Sequence, residues 1–313
     1  MMHKTNTFFL FVVLVFCTGL TACNNTSKNK QTVTDTPTSG TINISVDESF
    51  RPVIEEAIKV YEGSYPDAHI IAHYKPEAEC FKDFYRDSSN RMIIVTRGLT
   101  RKESRFYTDS LNYTPVSNRL AWDAITVITN KNNTDTLYSL ENLQNLLQGK
   151  QGNHKKVVFD GLNATSTVRF TIDSILHGGN FDTSVVKAVK NSSEVLDYIA
   201  ANTDAIGLVG ISWIGNPEDT AQVNMLKKVK MAYIKCKACN DTPYVKPSQQ
   251  SILSRRYPLV RGLYYIVKEN YSGLGSGFAD FLNFERGQLV FRRAYLAPKM
   301  DFGIRTVQVN EKL

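Results

Sequence analysis

The spacing of apolar residues predicts alternating strands and helices from residue 41 onward. Residues 41–46 (TINISV) alternate apolar and polar positions, which is typical of a half-buried strand. Residues 50–61 (FRPVIEEAIKVY) place their apolar side chains on one helical face, with Ser49 as the expected N-cap and Pro52 in the first turn. Residues 92–96 form a short apolar run, the pattern of a strand that is buried on both faces.

The same alternation continues along the rest of the chain. Further strands are predicted at residues 69–74, 124–130, 156–159, 205–209, 229–235 and 262–267. Further helices are predicted at residues 77–85, 139–148, 166–176, 192–201 and 277–295, the last with a break near Gly287. This order predicts an α/β fold with a mostly parallel sheet.

The first 23 residues have the layout of a bacterial export signal. His3 and Lys4 precede an almost unbroken apolar stretch at residues 8–19, and small residues then lead to Cys23. The stretch is shorter than the roughly 20 apolar residues that a membrane-spanning helix needs. Residues 20–23 (LTAC) resemble the lipobox of bacterial lipoproteins, which implies that Cys23 becomes the first mature residue and carries lipid such as palmitate. An ordinary signal peptide with a chance cysteine is the alternative.

A polar segment follows the export signal. Residues 24–40 (NNTSKNKQTVTDTPTSG) contain almost no large apolar side chain, so they bury too little surface to fold by themselves. We therefore expect a flexible tether between a lipid anchor and a folded part that begins near residue 41.

Composition narrows the function classes. The 313 residues are 42% hydrophobic and 21% charged, and the formal net charge is +7. This positive charge suits either a location near anionic lipid or an anionic ligand. The sequence has no sustained basic tract of the nucleic-acid-binding type, no histidines at metal-ligand spacing and no catalytic motif. We expect neither an enzyme nor a protein with a metal or another cofactor.

The cysteines indicate one local crosslink. Of the five, Cys17 and Cys23 belong to the export signal, which leaves Cys80, Cys236 and Cys239. The CxxC spacing of Cys236 and Cys239 fits a disulfide, a redox pair or half of a zinc site. A structural disulfide is favoured, because there is no second CxxC, no nearby histidine pair and no thioredoxin-like context. Cys80 is then a free, buried thiol.

Five segments in chain order resemble the periplasmic phosphate-binding proteins of the PstS type. Residues 257–264 (YPLVRGLY) and 281–288 (FLNFERGQ) are similar to the family motifs YPLxRPLY and FLxFxxSxEGQ. Residues 203–209 (TDAIGLV) are similar to PGAIGYV, and residues 94–100 (IVTRGLT) to the start of IAxASRPLxxEE. Residues 139–150 are similar to LTxEQLxxIFxGK. Together these segments cover most of the chain after the tether.

This resemblance implies a type II periplasmic-binding-protein fold, in which two α/β lobes are joined by a hinge of two crossings and enclose a ligand cleft. The expected boundaries are residues 1–22 for the signal peptide, 23–40 for the tether, 41–119 plus 262–313 for lobe one, and 120–261 for lobe two.

The resemblance also indicates where a ligand would bind. In this family phosphate is held by an arginine and by helix N-termini, whose free N–H groups and dipole face the anion. The candidate ligand-binding residues in the matching loops are Ser49, Thr96, Arg97, Thr165, Ser166, Thr167 and Arg169.

Acidic residues depart from the family pattern in the same loops. Asp47 and Glu48 lie within the first loop, Glu77 and Glu79 lie where the family has GSGxG, and Asp160 stands at the position of the phosphate-binding arginine. Carboxylates repel an incoming anion. Three outcomes therefore stay open: phosphate, another small ligand, or a cleft in which Arg97 and Arg169 neutralise these acids and no small ligand binds.

Two functional hypotheses follow. The first is a lipid-anchored solute-binding protein that passes phosphate or another small anion to an ABC permease. The second is the same fold used as an interaction or sensory subunit of an envelope complex. Residues 24–28 lack both the Asp that marks inner-membrane retention in enterobacteria and the acidic cluster of surface-exported Bacteroidetes lipoproteins, which favours a periplasm-facing anchor in either membrane.

Overall fold

The computed structural model describes residues 35–110, 112–150, 155–161, 165–240 and 243–302. The predicted lipidation residue Cys23, the tether up to residue 34, the middle of the third predicted ligand loop (residues 162–164) and residues 303–313 lie outside the described residues. Within the described part, no helix combines the length and the apolar character that a membrane span requires.

The described residues form thirteen strands. They are β1 (Gly40–Asp47), β2 (Ala68–Lys75), β3 (Asn90–Val95), β4 (Val116–Asn130), β5 (Leu137–Tyr138), β6 (Lys156–Phe159), β7 (Val186–Ala188), β8 (Ala205–Gly210), β9 (Val229–Met231), β10 (Tyr233–Lys235), β11 (Tyr244–Val245), β12 (Val260–Val267) and β13 (Ala297–Pro298).

The same residues form ten α-helices. They are α1 (Arg51–Ser64), α2 (Glu77–Arg86), α3 (Arg101–Arg105), α4 (Leu140–Leu147), α5 (Ser166–Ser174), α6 (Ser192–Ala201), α7 (Thr220–Met225), α8 (Gln249–Leu253), α9 (Leu274–Asn283) and α10 (Glu285–Arg293). Short 3₁₀ turns cover Glu48–Phe50 and Ile211–Trp213, and a π-helical turn covers Phe106–Ser110.

Ten of the described strands make one mixed sheet. Its order is β2-β1-β3-β12-β4-β8-β6-β7, and β9 and β13 also pair with β4. The two outer blocks are parallel, β1 with β2 and β3, and β6 with β7 and β8. The predicted parallel pairing is therefore right for these blocks. It is wrong for the centre, where β12 and β4 run antiparallel to their neighbours.

Strand β4 belongs to both blocks because it is 15 residues long. Its residues 116–124 pair with β12, and residues 125–129 pair with β8. We call the part that contains β1, β2, β3, β12, β13 and the start of β4 the first half-sheet. The second half-sheet contains the end of β4, β6, β7, β8 and β9. The predicted lobe boundaries fall within β4 and β12.

Most predicted elements lie within a few residues of the observed ones. Strand β3 is fully buried from Met92 to Val95, as its apolar run predicts. Helix α4 begins at the predicted Ser139 cap, whose hydroxyl accepts a hydrogen bond from the N–H of Asn142. Gly149, in the left-handed region with φ +66°, follows this helix.

Two predicted elements are each divided in two. The strand predicted at residues 229–235 breaks at Ala232, because β9 pairs with β4 whereas β10 joins a separate small sheet with β5 and β11. The long helix predicted at residues 277–295 breaks at Phe284, whose backbone is extended, and not at Gly287. Gly287 lies inside α10, where a side chain would collide with the carbonyl oxygen of Phe281.

The N-terminal boundary also differs from the expectation. Residues 35–40, assigned to the tether by the sequence, are packed onto the fold. Asp35 is buried, and its carboxylate accepts hydrogen bonds from Arg91, Tyr271 and the N–H of Leu274 at the start of α9. The folded part therefore includes residues 35–40.

The structure pairs Cys236 with Cys239 in a disulfide and leaves Cys80 as a buried free thiol.

Candidate ligand-binding site

Polar side chains of both half-sheets meet at the carboxyl ends of their parallel strands. Strand β1 ends at Asp47, β3 is followed by Thr96, and β6 is followed by Asp160. Small molecules bind at such strand ends in open α/β sheets. We call this group the central polar cluster. Its members are Asp47, Glu48, Ser49, Glu77, Thr96, Asp123, Asp160, Thr165, Ser166, Thr167, Arg169, Ser192 and Arg261.

Glu77, the first residue of α2, accepts four hydrogen bonds from described residues. Its Oε1 accepts from the N–H of Thr96 at 2.8 Å and from the Thr96 hydroxyl at 2.5 Å. Its Oε2 accepts from Nε of Arg169 at 2.7 Å, and Nη2 of Arg169 lies 3.4 Å from Oε1. Arg169 belongs to α5, so these bonds join the second half-sheet to the first. A backbone N–H, a hydroxyl and a guanidinium are the donors that a small oxyanion requires.

The ionisation of Glu77 follows from these contacts. Its side chain is 4% exposed, and burial by itself acts to raise the pKa. The hydrogen bonds and charge of Arg169, with the bonds from Thr96, outweigh burial and hold the pKa of Glu77 below its ordinary value. Glu77 is therefore a carboxylate at neutral pH.

A second arginine lies deeper in the cluster. Nε of Arg261 donates to Oδ2 of Asp123 at 2.7 Å, and its Nη1 donates to the Ser166 hydroxyl at 2.8 Å. Ser166 lies 3.2 Å from the hydroxyl of Ser49. The carbonyl oxygen of Ser49 accepts further bonds from the Ser212 hydroxyl and from Nε1 of Trp213. These contacts close the cluster across the two half-sheets.

The cluster holds more carboxylates than cations. Asp47, Glu48, Glu77, Asp123 and Asp160 accompany two arginines. Burial raises the pKa of Asp47 to about 7, and the charge of Glu77 adds to this shift. Burial likewise raises the pKa of Glu48 to about 7 and increases the pKa values of Asp123 and Asp160. Protonation of some of these groups near neutral pH therefore reduces the charge of the cluster.

Several buried polar atoms of the cluster have no hydrogen-bond partner among the described residues. They are four carboxylate oxygens and one donor: Asp47 Oδ2, Glu48 Oε1, Asp123 Oδ1, Asp160 Oδ1 and Arg261 Nη2. Unpaired buried groups of this kind are costly, so they favour a ligand or a proton that can pair with them.

Six of the seven predicted ligand-binding residues lie in the central polar cluster. They are Ser49, Thr96, Thr165, Ser166, Thr167 and Arg169. Ser49 is not the N-cap of a helix, because Asp47 caps the 3₁₀ turn and leaves the Ser49 hydroxyl to Ser166. The Thr165 side chain caps α5.

The structure does not place Arg97 with the other six. Its guanidinium donates to Glu103 at 2.8 and 3.0 Å and stacks on the Phe81 ring at 3.7 Å. Thr96 enters the cluster, whereas Arg97 is held outside it by Glu103 and Phe81. The sequence also left open a cleft in which Arg97 and Arg169 neutralise the nearby acids. The structure contains one such ion pair, between Arg169 and Glu77.

Arg261 and Asp123 are among the cluster residues that the sequence pattern did not identify. Both interrupt apolar strands, and they are cross-strand neighbours in β12 and β4. A charged residue inside each of two apolar runs was the available signal. The sequence does not contain the register of β4 against β12, so it could not predict that the two charges pair. Among the described side chains, no group of three or more His, Cys, Asp and Glu residues is arranged to hold a metal ion.

Comparison with known proteins agrees with this architecture. The model of the PBP superfamily domain matches residues 31–284. A Clostridium perfringens protein, described as a phosphate ABC transporter substrate-binding protein with bound phosphate, is 20% identical; the match covers 83% of this chain and 100% of that one, with a TM-score of 0.67. No curated protein is significantly similar to this chain in sequence.

Two further solved structures give the same result. An ABC-type phosphate transport receptor from Vibrio cholerae is 17% identical over 82% of this chain and 98% of that one, with a TM-score of 0.59. PstS from Borrelia burgdorferi is 17% identical over 83% of this chain and 99% of that one, with a TM-score of 0.51. These likenesses and the family match confirm the predicted type II fold.

Proposed function

This chain belongs to the periplasmic-binding-protein (PBP) superfamily. We therefore propose that it binds a small oxyanion in the central polar cluster, with phosphate as the first candidate. Membership of this family agrees with the prediction that the chain is a solute-binding protein and not an enzyme. Phosphate is named for the Clostridium perfringens and Vibrio cholerae proteins, and its assignment to this chain is our proposal.

The environment of Glu77 carries this proposal. Its carboxylate is a planar oxyanion that receives a backbone N–H, a hydroxyl and a guanidinium in a buried position between the half-sheets. The same donors would serve a solute oxyanion once the Glu77 side chain turns away. Glu77 therefore acts as an internal competitor, and the solute must bind more strongly than this side chain does.

The unpaired atoms favour an oxyanion that carries a proton. Phosphate at neutral pH presents both oxygen acceptors and an O–H donor, whereas sulfate presents acceptors alone. The unpaired oxygens of Asp47, Asp123 and Asp160 can accept from that O–H, and Nη2 of Arg261 can donate to an oxygen. Sulfate leaves these carboxylates unpaired and adds repulsion, so the cluster should discriminate against it.

We further propose that the bound solute passes to an ABC permease and that residue 23 carries the lipid anchor. The names of the Clostridium perfringens and Vibrio cholerae proteins support the transport role by analogy. Strands β4 and β12, which connect the half-sheets, are the proposed hinge about which two lobes close on the solute.

Isothermal titration of protein stripped of bound solute tests the binding proposal. Phosphate should bind at micromolar levels and sulfate at least about 100-fold more weakly, since a buried unpaired polar group strongly penalises the wrong ligand. Arg169→Gln should abolish binding. Arg97→Gln is the matched control, because Arg97 lies outside the cluster, and it should leave affinity unchanged. Equal phosphate binding by both variants would overturn the assignment.

One observation favours the second hypothesis, an interaction or sensory subunit. Glu77 already occupies the anion donors, and Ser49 and Ser166 contact each other across the two half-sheets. If phosphate and sulfate leave the heat of titration at baseline in every variant, the cleft is a fixed structural element. Recovery of permease subunits with affinity-tagged protein from membranes would then support transport of another solute. Recovery of other envelope components would support the second hypothesis.

A further inference from the structure

Arg119, Trp122 and Arg255 form a stack on the strands that connect the half-sheets. The guanidinium carbon of Arg119 lies 3.8 Å from the centroid of the Trp122 ring, and that of Arg255 lies 3.6 Å from it. Two guanidinium groups this close to one centroid would overlap on the same face, so they cover opposite faces of the indole. We call these three residues the arginine–tryptophan stack.

The stack lies on the sheet face opposite the central polar cluster. Arg261 and Asp123 are cross-strand partners whose side chains enter the cluster. The next pair, Gly262 with Trp122, points the other way because side chains alternate along a strand.

A β-bulge brings Arg119 to the same face as Trp122. Gly262 pairs with Trp122 and Tyr264 pairs with Arg119, so β4 has one more residue than β12 between these pairs. Gly262 and Tyr264 share a face of β12, and their partners therefore share a face of β4. The Tyr264 ring lies over Gly262, where an added Cβ would stand 2.3 Å from it. This local geometry builds an aromatic and cationic surface in which Arg255 is exposed and Arg119 and Trp122 are partly exposed.

The two cations of the stack have no carboxylate partner in the described part of the chain. Neither guanidinium makes a hydrogen bond or ion pair there, and Nε of Arg119 is buried without a partner. Partial burial and the nearby charge of Arg119 lower the pKa of Arg255. Since both groups remain cations, an anionic partner would relieve their repulsion and satisfy the free N–H groups.

Among the described residues, strand β4 has an unpaired edge beside the stack. Residues 116–119 pair with β12 on one side, whereas pairing with β13 on the other side begins only at Ala121. The N–H of Arg119 is bonded to the side chain of its neighbour Asn118, and Val116 is 56% exposed. An extended peptide adds to such an edge through backbone hydrogen bonds.

We propose that the arginine–tryptophan stack and the edge of residues 116–119 form a docking surface for an extended acidic segment of a partner protein. The backbone of that segment adds to β4, and its carboxylates pair with Arg119 and Arg255. An extended peptide fits both the strand edge and the cations, whereas a flat anionic membrane would use the cations alone. The surface is separate from the central polar cluster and goes beyond solute binding.

Tryptophan fluorescence tests the proposal, because Trp122 and Trp213 are the two tryptophans of the sequence. In the Trp213→Phe protein, all tryptophan emission comes from Trp122. A hexaglutamate peptide should change its emission with saturation, and the apparent affinity should fall as ionic strength rises above roughly 0.15 M. Hexaglutamine, which has the same length and no charge, should bind far more weakly.

Three variants show whether the fluorescence change arises from peptide bound at the arginine–tryptophan stack. Arg119→Gln and Arg255→Gln should each weaken hexaglutamate binding by about fivefold or more. Arg105→Gln removes an exposed arginine elsewhere and should have no effect. Circular dichroism verifies that each variant is folded. The peptide should leave Trp213 emission unchanged in the Trp122→Phe protein.

Several outcomes would overturn the docking surface. They are the absence of a peptide response, an undiminished wild-type response in both stack variants, equal binding of hexaglutamine, and a Trp122 response to phosphatidylglycerol vesicles but not to peptide. Phosphate binding followed through Trp213 is measured separately. Failure of the solute proposal therefore leaves the docking result interpretable, and failure of docking leaves the solute result interpretable.

Discussion

Arg261 and Asp123 form an ion pair whose side chains are only 2% and 0% exposed. Burying two charges is expensive, and the cost is offset only while each charge retains its partner. Arg261 also holds Ser166, so the pair fixes the start of α5 against the first half-sheet. At the residue scale, this pair supports the central polar cluster from within the sheet.

Replacing Arg261 with Met should therefore be strongly destabilising. The variant leaves Asp123 buried without its cation, and the free energy of unfolding should fall by about 3–5 kcal/mol in a urea titration. Arg293→Met, which breaks an exposed pair with Glu218, is the control and should cost less than about 1 kcal/mol. A loss of under 1 kcal/mol for Arg261→Met would contradict the role given to this pair.

At the scale of elements, the break between α9 and α10 illustrates what the pattern along the chain could predict. The apolar period extends from residue 277 to 295 and indicates one long helix with a glycine break. The observed break is at Phe284, and Gly287 serves close packing against Phe281 and Leu282. Periodicity reports which side of a segment is apolar, whereas the exact end of a helix depends on its neighbours in the fold.

The same distinction applies to the site. Serine and threonine residues at predicted strand and helix ends could be identified as candidates, and six of the seven lie together. The pairing of Glu77 with Arg169, and of Asp123 with Arg261, joins residues far apart in sequence. Such pairs depend on strand order and register, which a local pattern does not contain. The orientation of Arg97 likewise depends on Glu103 and Phe81.

Gly287→Ala tests the element-scale explanation. The added Cβ would stand 2.4 Å from the carbonyl oxygen of Phe281 and 2.6 Å from Cα of Leu282, so α10 must shift away from α9. Thermal unfolding should show a loss of about 1–3 kcal/mol. Gly63→Ala in α1 meets no atom within 4 Å and should gain up to about 1 kcal/mol. An equal effect of the two substitutions would show that Gly287 has no packing role.

At the scale of the whole molecule, stability should depend on pH through the buried acids. Burial raises the pKa of Asp47 to about 7, well above its ordinary value of 3.8. Between roughly pH 4 and 7 the folded state then binds more protons than the unfolded state, so stability falls as the pH rises through this range. Burial acts to raise the pKa of Glu103, but hydrogen bonds from Arg97 and Thr100 outweigh burial and lower that pKa to about 2. Glu103 therefore contributes stability that is lost in acid.

Urea unfolding at pH 5 and pH 8 measures this dependence. The wild-type protein should be more stable at pH 5, and Asp47→Asn should reduce the difference because it removes the titrating group. Asp67→Asn changes an exposed aspartate and serves as the control. Greater wild-type stability at pH 8 than at pH 5 would show that Asp47 is ionised in the folded state without penalty.

The most direct test of the central claim is calorimetric titration of phosphate into the Glu77→Gln protein. Removing the internal carboxylate frees Arg169 and removes a negative charge, so phosphate should bind at least about tenfold more tightly than to the wild type. Glu79→Gln, an exposed change on the same helix, should match the wild type. Weaker or absent phosphate binding by Glu77→Gln would contradict the claim that Glu77 occupies the solute's place.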